Sequence, residues 1–220
     1  MSATKSRRSG AASIDLVLCA VRGGRLHVLV SGAAPHERTL PFAWCGGGDD
    51  PEAVARDLTR RVNGQAAAWM AQGTVMGERR HPGEAPLSVP FVGVVGPTVE
   101  APRGASWHPV HALPTLAPRH KAMAESALTT LRLHMDAAPV AFRLLPAAFT
   151  LSELQQVYEL LLGRRLHKAS FRRALQAAYL VAPTDDWRSE GRGRPAQLFR
   201  YAPRRRHAGH RSVRFDLLGR

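Results

Sequence analysis

The sequence predicts a mixed α/β (α+β) sandwich followed by a C-terminal winged helix-turn-helix domain. Three observations carry this expectation. Strand-like runs alternate with amphipathic helical segments up to about residue 138. Between Phe149 and Tyr201 a capped helix, a basic helix and an Arg-Gly-Arg-Pro turn follow one another. The charge is unevenly placed: residues 1–140 hold 15 Lys/Arg against 11 Asp/Glu, whereas residues 141–220 hold 16 against 6, so most of the net +14 lies in the last 80 positions. With a pI near 11.4 the chain calls for a polyanionic partner. Nucleic acid fits better than a membrane, because no run has the length or purity of a spanning helix.

The N-terminal elements follow from local chemistry. Residues 1–12 are polar, lack the apolar core of a signal peptide and are expected to be disordered, which makes a cytoplasmic location the expectation. Ser13 to Val21 and Arg25 to Val30 are strand-like around Gly23-Gly24 and predict a β-hairpin. Residues 31–48, rich in Gly, Pro and Ala, read as loop. Asp50 before Pro51 is an N-cap with proline at the first helical position, and the helix should run to about Val62 with Gly64 beyond its end. Strands are expected over 68–76 and 87–95, the second weakened by Pro90, and a helix over Arg119 to Met135. Cys19 and Cys45 are too isolated for a disulfide framework or zinc site and read as small buried hydrophobes.

The C-terminal region is more specific. Thr150-Leu-Ser-Glu153 is a capping box, Leu154, Val157, Tyr158, Leu161 and Leu162 recur at helical spacing, and Gly163 is placed as terminator. A turn through Arg164 and Arg165 leads to a second helix over Lys168–Ala178. There Phe171, Ala174, Leu175 and Ala178 make a narrow apolar stripe opposite Ala169, Arg172, Arg173 and Gln176. Short strands near 179–183 and 197–201 bracket a turn-rich stretch, 185–195, holding Arg188, Arg192 and Arg194, the composition of a wing on a phosphate backbone. Arg164, Arg165, Lys168, Ser170, Arg172, Arg173, Gln176, Arg192 and Arg194 are therefore the candidate DNA contacts. A merely solvated basic surface is the rival reading, and the order of elements favours DNA.

These segments resemble the Nudix-related transcriptional regulators, in which a Nudix-like domain is fused to a C-terminal winged helix. The resemblance covers most of residues 13–202. It is most specific over Leu144 to Arg164, Phe171-Arg-Arg173 and Gly193-Arg-Pro-Ala196, and extends to Ser13-Ile-Asp-Leu-Val17, Gln72 to Pro82, Leu87-Ser-Val89, Trp107-His-Pro-Val110 and His120. It implies a Nudix-like sensor over 13–138, a winged helix over 139–203 and a basic tail over 204–220. It further implies a homodimeric, effector-responsive regulator, typically a repressor of NAD or related cofactor metabolism, with no cofactor and an adenine-nucleotide effector. ADP-ribose is that effector in the family, with NAD or ATP open here because Val30 is followed by Ser31-Gly32 where the family often carries arginines.

The same resemblance argues against catalysis. A Nudix hydrolase holds Mg²⁺ through helical carboxylates one turn apart. The corresponding run here is Arg56-Asp57-Leu58-Thr59-Arg60-Arg61, which puts Arg60 and Arg61 at the metal-binding glutamates, after a shortened loop, Cys45 to Pro51. Glu52 with Arg56, and Asp57 with Arg61, are spaced as ion pairs. This helix reads first as scaffold, and second as a phosphate binder through Arg56 or Arg60. Gln72, Arg79 and Arg80 are further ligand candidates. The rival function is a pyrophosphohydrolase with altered metal ligands, and a third reading is a nucleoid-type basic protein. His108/His111 and His207/His210 have ligand-like intervals but no cysteine or carboxylate beside them, so no metal site is expected.

Overall fold

In this computed structural model the described residues are 12–189 and 195–203. The chain divides into two compact units. The first takes in the chain up to Cys19, His27–Gly93 and Glu100–Ala127; the second takes in Ala20–Leu26, Val94–Val99 and the described residues from Leu128 onward. Among the described residues, no helix is long and apolar enough to cross a membrane.

β1 (Ala12–Arg22) and β2 (Arg25–Ser31) form the expected hairpin, and Gly23 and Gly24 sit at φ +55° and +71°, the left-handed pair that a two-residue turn requires. β3 (Phe42–Cys45) follows, then α1 (Pro51–Asn63), β4 (Trp69–Gln72), β5 (Ser88–Val94), β6 (Ala105–Pro109) and α2 (Pro118–His134). The sheet runs β4-β5-β1-β2-β6, with β3 antiparallel to the start of β1. β1 is buried from Ser13 through Ala20 without alternation, the pattern of a strand covered on both faces.

Several expectations are corrected here. Residues 31–48 are not all loop, because Ala43 and Cys45 pair with Ile14 and Ala12. That ladder joins residues about thirty apart, so no local signal marked it. The strand expected over 68–76 closes at Gln72, with Met76 making only an isolated bridge to Ser88. Pro90 does not weaken β5: its carbonyl accepts from Gly73 N–H, and a proline lacks only the donor. β6 and a short helix, α3 (Val140–Arg143), had not been expected as elements. The helix signals fared well. Asp50 accepts from the N–H groups of Glu52 and Ala53, and Gly64 ends α1 at φ +71°.

In the second unit α4 (Leu151–Leu162) begins with both bonds of the capping box made, and Gly163 closes it at φ +70°. α5 spans Lys168–Ala178. β7 (Val181–Arg188) and β8 (Ala196–Tyr201) make an antiparallel hairpin with a register shift between Pro183 and Trp187, and Phe149 adds a bridge to Phe199 on the same ladder. Asp185, Asp186, Trp187 and Arg188 are thus strand, where turn was expected; the shift absorbs Asp185 and Asp186, so the pairing resumes at Trp187. Leu154, Val157, Tyr158 and Leu161 of α4 bury with Phe171 and Leu175 of α5. Phe142 lies 4.5 Å from the Tyr201 ring and Tyr158 5.7 Å from that of Phe171, a core of aromatic pairs under the hairpin.

Candidate nucleic-acid interface and ligand groove

The two helices α4 and α5 are joined by a turn that one carboxylate organises. Glu159 Oε1 accepts from the Leu166 N–H at 2.9 Å and from Gln155 Nε2 at 2.9 Å, while Oε2 accepts from Arg165 at 3.0 Å. Burial alone would raise the Glu159 carboxyl, but those three donors hold it below the usual range. The Gln155 amide donates in addition to Leu166 O. The turn's backbone is thereby fixed from within α4, and α5 leaves it at a set angle.

On α5, Phe171 and Leu175 point inward, while Lys168, Arg172, Arg173 and Gln176 are exposed and Ser170 is half-buried beside His167. The expected basic outer face is therefore present. Arg164 and Arg165 are exposed in the turn, with Arg165 held by Glu159. Arg188 points elsewhere: it donates to Glu153 Oε1 at 2.6 Å and to Ala148 O at 3.3 Å. Arg192 and Arg194 lie outside the described residues, as do His207 and His210.

The first unit holds a buried polar network that sequence reasoning did not assign, although five of its members, Ser13, Asp15, His81, Ser88 and His120, fall in the stretches that carried the family resemblance. Asp15, His81 and His120 are completely inaccessible to solvent. Asp15 Oδ1 accepts from Nε2 of both His81 and His120 at 2.8 Å, and its Oδ2 accepts from Ser13 Oγ at 2.6 Å. Ser13 bonds Ser88 Oγ at 2.7 Å, and Ser88 in turn accepts from Arg119 at 3.2 Å. The Arg119 guanidinium also donates to the carbonyls of Gly77, Glu78, Arg79 and Ala85, so that one buried cation gathers the 77–88 loop. Burial would raise Asp15, but hydrogen bonds from His120, His81 and Ser13 hold its carboxyl well below the ordinary range; burial pushes His120 down.

Three such side chains with ligand atoms within 4.8 Å invite a metal ion, and the hydrogen bonds argue against it. Gly83 N–H points at His81 Nδ1 and Leu40 N–H at His120 Nδ1, each at 3.0 Å. Both Nδ1 atoms are therefore acceptors, which places the ring proton of each neutral imidazole on Nε2, the atom a cation would need free. The cluster is a doubly donated carboxylate. His108 is likewise engaged, with Ser106 Oγ at 2.8 Å from Nε2.

Phe42 packs edge-on against both imidazoles, with ring centroids 4.8 Å from His81 and 5.8 Å from His120. A Cβ on Gly83 would fall 2.9 Å from the Phe42 ring, so glycine is required for this approach. The other side of Phe42 borders an open groove of about 720 Å³ shared with Ala43, Trp44, Val54, Asp57, Arg60 and Arg61. Of the ligand candidates, Arg60 is in this groove. Arg56 is tied to Glu52 at 2.6 Å and to Asp50 at 3.6 Å. Gln72 borders a different cavity with Asp50, Pro51, Glu52, Met70, Ala71 and Phe91, and Arg79 and Arg80 are exposed and line neither. The expected Asp57–Arg61 pair is replaced by Asp57–Arg60 at 2.9 Å, three residues apart instead of four.

Known proteins bear on both regions. Residues 141–201 match the NrtR DNA-binding winged helix domain. Over 87 residues the chain is 38% identical to the ADPR responsive transcriptional repressor NtrR of Acinetobacter baylyi, a match covering 40% of this chain and 34% of that protein. The chain thus aligns with about a third of the length of this curated relative. The crystal structure of Shewanella oneidensis NrtR complexed with a 27mer DNA superposes with a TM-score of 0.76 at 24% identity, covering 92% of this chain and 98% of the other. A MutT/nudix family protein from Enterococcus faecalis superposes at 0.63 with 16% identity, covering 87% and 86%. The fold is that of the Shewanella structure, a Nudix-type sandwich with a C-terminal winged helix, and residues 141–201 are similar to the NrtR DNA-binding winged helix domain.

Proposed function

We propose that the chain is a DNA-binding transcriptional regulator, a repressor of NAD or related cofactor metabolism, whose Nudix-like domain senses an adenine nucleotide. The observation that carries this reading is the outer face of α5, where Lys168, Arg172, Arg173 and Gln176 stand exposed on a helix of the NrtR-type winged helix. In a helix-turn-helix the second helix enters the major groove, and arginine reads guanine edges there. The printed name of the Acinetobacter relative makes ADP-ribose the first effector to test, ahead of NAD and ATP.

The domain division goes with this reading: a sensor over 13–138, a DNA-binding domain over 139–203 and a basic tail over 204–220. A homodimer on a two-fold symmetric operator in the cytoplasm completes it, since one recognition helix spans few base pairs. Hydrolysis is disfavoured. The Mg²⁺ of Nudix chemistry needs free oxygen ligands, and the exposed carboxylates Glu52 and Asp57 of α1 are already paired with Arg56 and Arg60. The test is fluorescence anisotropy of the full chain on DNA from upstream of its own and neighbouring genes, with random DNA as control and ADP-ribose added. Preferential binding that ADP-ribose alters is expected; equal affinity for all DNA, or indifference to ADP-ribose, NAD and ATP, would overturn the reading.

A further inference from the structure

The β7–β8 hairpin carries a feature at odds with a phosphate-facing surface. Between the pairs Pro183–Phe199 and Trp187–Gln197, β7 sets three residues, Thr184, Asp185 and Asp186, against Leu198 alone on β8. Thr184 pins this bulge: its hydroxyl donates to Leu198 O at 3.1 Å and accepts the Asp186 N–H at 3.3 Å, and its carbonyl accepts from Gln197 Nε2 at 3.4 Å. A bulge re-aims side chains. This one aims two carboxylates and an indole at solvent, since Asp185 and Asp186 are exposed and Trp187 is 57% exposed.

The helix carboxylates nearby are engaged. Glu153 serves Thr150 and Arg188, and Glu159 serves Gln155, Arg165 and Leu166. The side chains of Asp185 and Asp186, by contrast, make no hydrogen bond or ion pair with any described residue. Two bare carboxylates repel a phosphate backbone, so this stretch of the hairpin suits a cationic partner instead.

The chain supplies one. Residues 204–220 hold six arginines, Arg204, Arg205, Arg206, Arg211, Arg214 and Arg220, against Asp216 as the one acidic residue. They follow directly on β8, where Tyr201 pairs with Val181 and the Ala202 N–H donates to Leu180 O at 2.9 Å. Asp185 is no more than about 13 Å further along β7, at roughly 3.3 Å per residue. Arg204 to Arg206 reach it by doubling back along the hairpin. An arginine fork takes carboxylate oxygens in pairs and its plane lies on an indole face, so Arg-Arg-Arg meets Asp-Asp-Trp with matched chemistry. One exposed ion pair alone is weak. Tethering changes that, because a covalently attached segment is present at an effective concentration on the order of millimolar.

We infer that the Asp185-Asp186-Trp187 bulge is a docking surface for the chain's own Arg204–Arg206 segment, and that this contact competes with DNA for the same arginines. Duplex DNA, with one phosphate per about 1.7 Å of axis, displaces two carboxylates at close range. The bulge therefore trims sequence-independent affinity without blocking DNA binding. The docking stands apart from the regulator reading above, and only its consequence for DNA rests on that reading.

Limited trypsin digestion of the full chain without DNA reads the contact directly. Cleavage after Arg204, Arg205 or Arg206, followed by mass spectrometry at low salt, should be at least about threefold slower in the parent than in Asp185→Asn/Asp186→Asn. Trp187→Ala should lose part of the same protection. The difference should vanish near about 0.5 M salt, where the screening length is roughly 4 Å, and should not depend on protein concentration. Both aspartates are exposed, so an unchanged melting temperature confirms that the variant folds. Equal cleavage in parent and variant overturns the inference, and protection that rises with protein concentration overturns it in favour of a second copy's tail. On random DNA, Asp185→Asn/Asp186→Asn should bind about three- to tenfold more tightly than the parent. In a full chain already carrying Arg204→Gln/Arg205→Gln/Arg206→Gln, the same change should do much less. An equal gain in both backgrounds would show direct repulsion between bulge and DNA, and overturns the competition. If the parent binds no DNA, the regulator reading fails while the tryptic protection still decides the docking.

Discussion

Arg188 of β7 donates to Oε1 of Glu153 at 2.6 Å, while Oε2 of the same carboxylate accepts the Thr150 backbone N–H at 2.7 Å. One side chain therefore closes the capping box of α4 and anchors the hairpin to it. Both partners are about a third exposed, so the pair is screened and modest by itself. Arg188→Ala should cost about 0.5–1 kcal/mol and Glu153→Ala about 1–2, the latter including the cap. A double-mutant cycle by chemical denaturation measures the shared part. Arg188→Ala should weaken operator and random DNA equally; selective loss on the operator would make Arg188 a base reader.

Glu159 should matter more for DNA binding than its position in the core side of the turn suggests. Its replacement by Ala leaves the Leu166 N–H without its acceptor and the Gln155 amide with only the Leu166 carbonyl, at about 1–3 kcal/mol. Urea titration reads that cost. If the turn sets the angle of α5, operator affinity at conditions where the variant is fully folded should fall by at least tenfold; preserved affinity would show that α5 is held by its buried stripe alone.

The Asp15 network predicts an acid-sensitive first unit. Asp15 and His120 both have folded-state values below their ordinary ones, so the unfolded chain binds more protons and stability falls as pH falls. For His120 the loss should begin as pH drops through the usual imidazole range near about 6.5, and for Asp15 it continues below the carboxylate range. Thermal melts between neutral pH and about pH 4 should show this decline. Asp15→Asn, which supplies an amide where two imidazole N–H groups and a serine hydroxyl need acceptors, should cost about 2–4 kcal/mol and flatten the acid limb. A melting temperature independent of pH would contradict the tautomer assignment.

Hydrolysis of ADP-ribose or NAD in excess Mg²⁺ should not exceed background. A turnover on the order of 1 s⁻¹ or faster would place the chain among the hydrolases.

What the sequence disclosed and what it hid follow from how far apart the interacting residues are. The capping box at Thr150, the Asp50-Pro51 start and the Gly64 and Gly163 stops act within one turn of backbone, and α1, α4 and α5 appeared within a residue of expectation. β3 did not, because its partner residues are at the start of β1 and Phe42-Ala-Trp-Cys45 has no alternation to betray it. Asp15, His81 and His120 are separated by 66 and 39 positions, so no spacing rule could join them. The buried Ser13-Ile-Asp15 step inside an apolar strand was the one available signal, since an ionisable group there demands partners. Arg60 and Arg61 were visible as a departure from the metal-binding pattern, but their position beside Trp44 depends on tertiary placement.

The most direct test of the account is the ratio of operator to random-DNA affinity in Arg173→Ala, measured beside Arg192→Ala at fixed salt. Arg173 is exposed on α5, so its loss should cost about 1–3 kcal/mol on the operator and much less on random DNA, and the ratio should fall. Arg192→Ala should weaken both alike and lower the salt slope by about one unit. An unchanged ratio in Arg173→Ala together with a collapsed ratio in Arg192→Ala would show that α5 is not the reader.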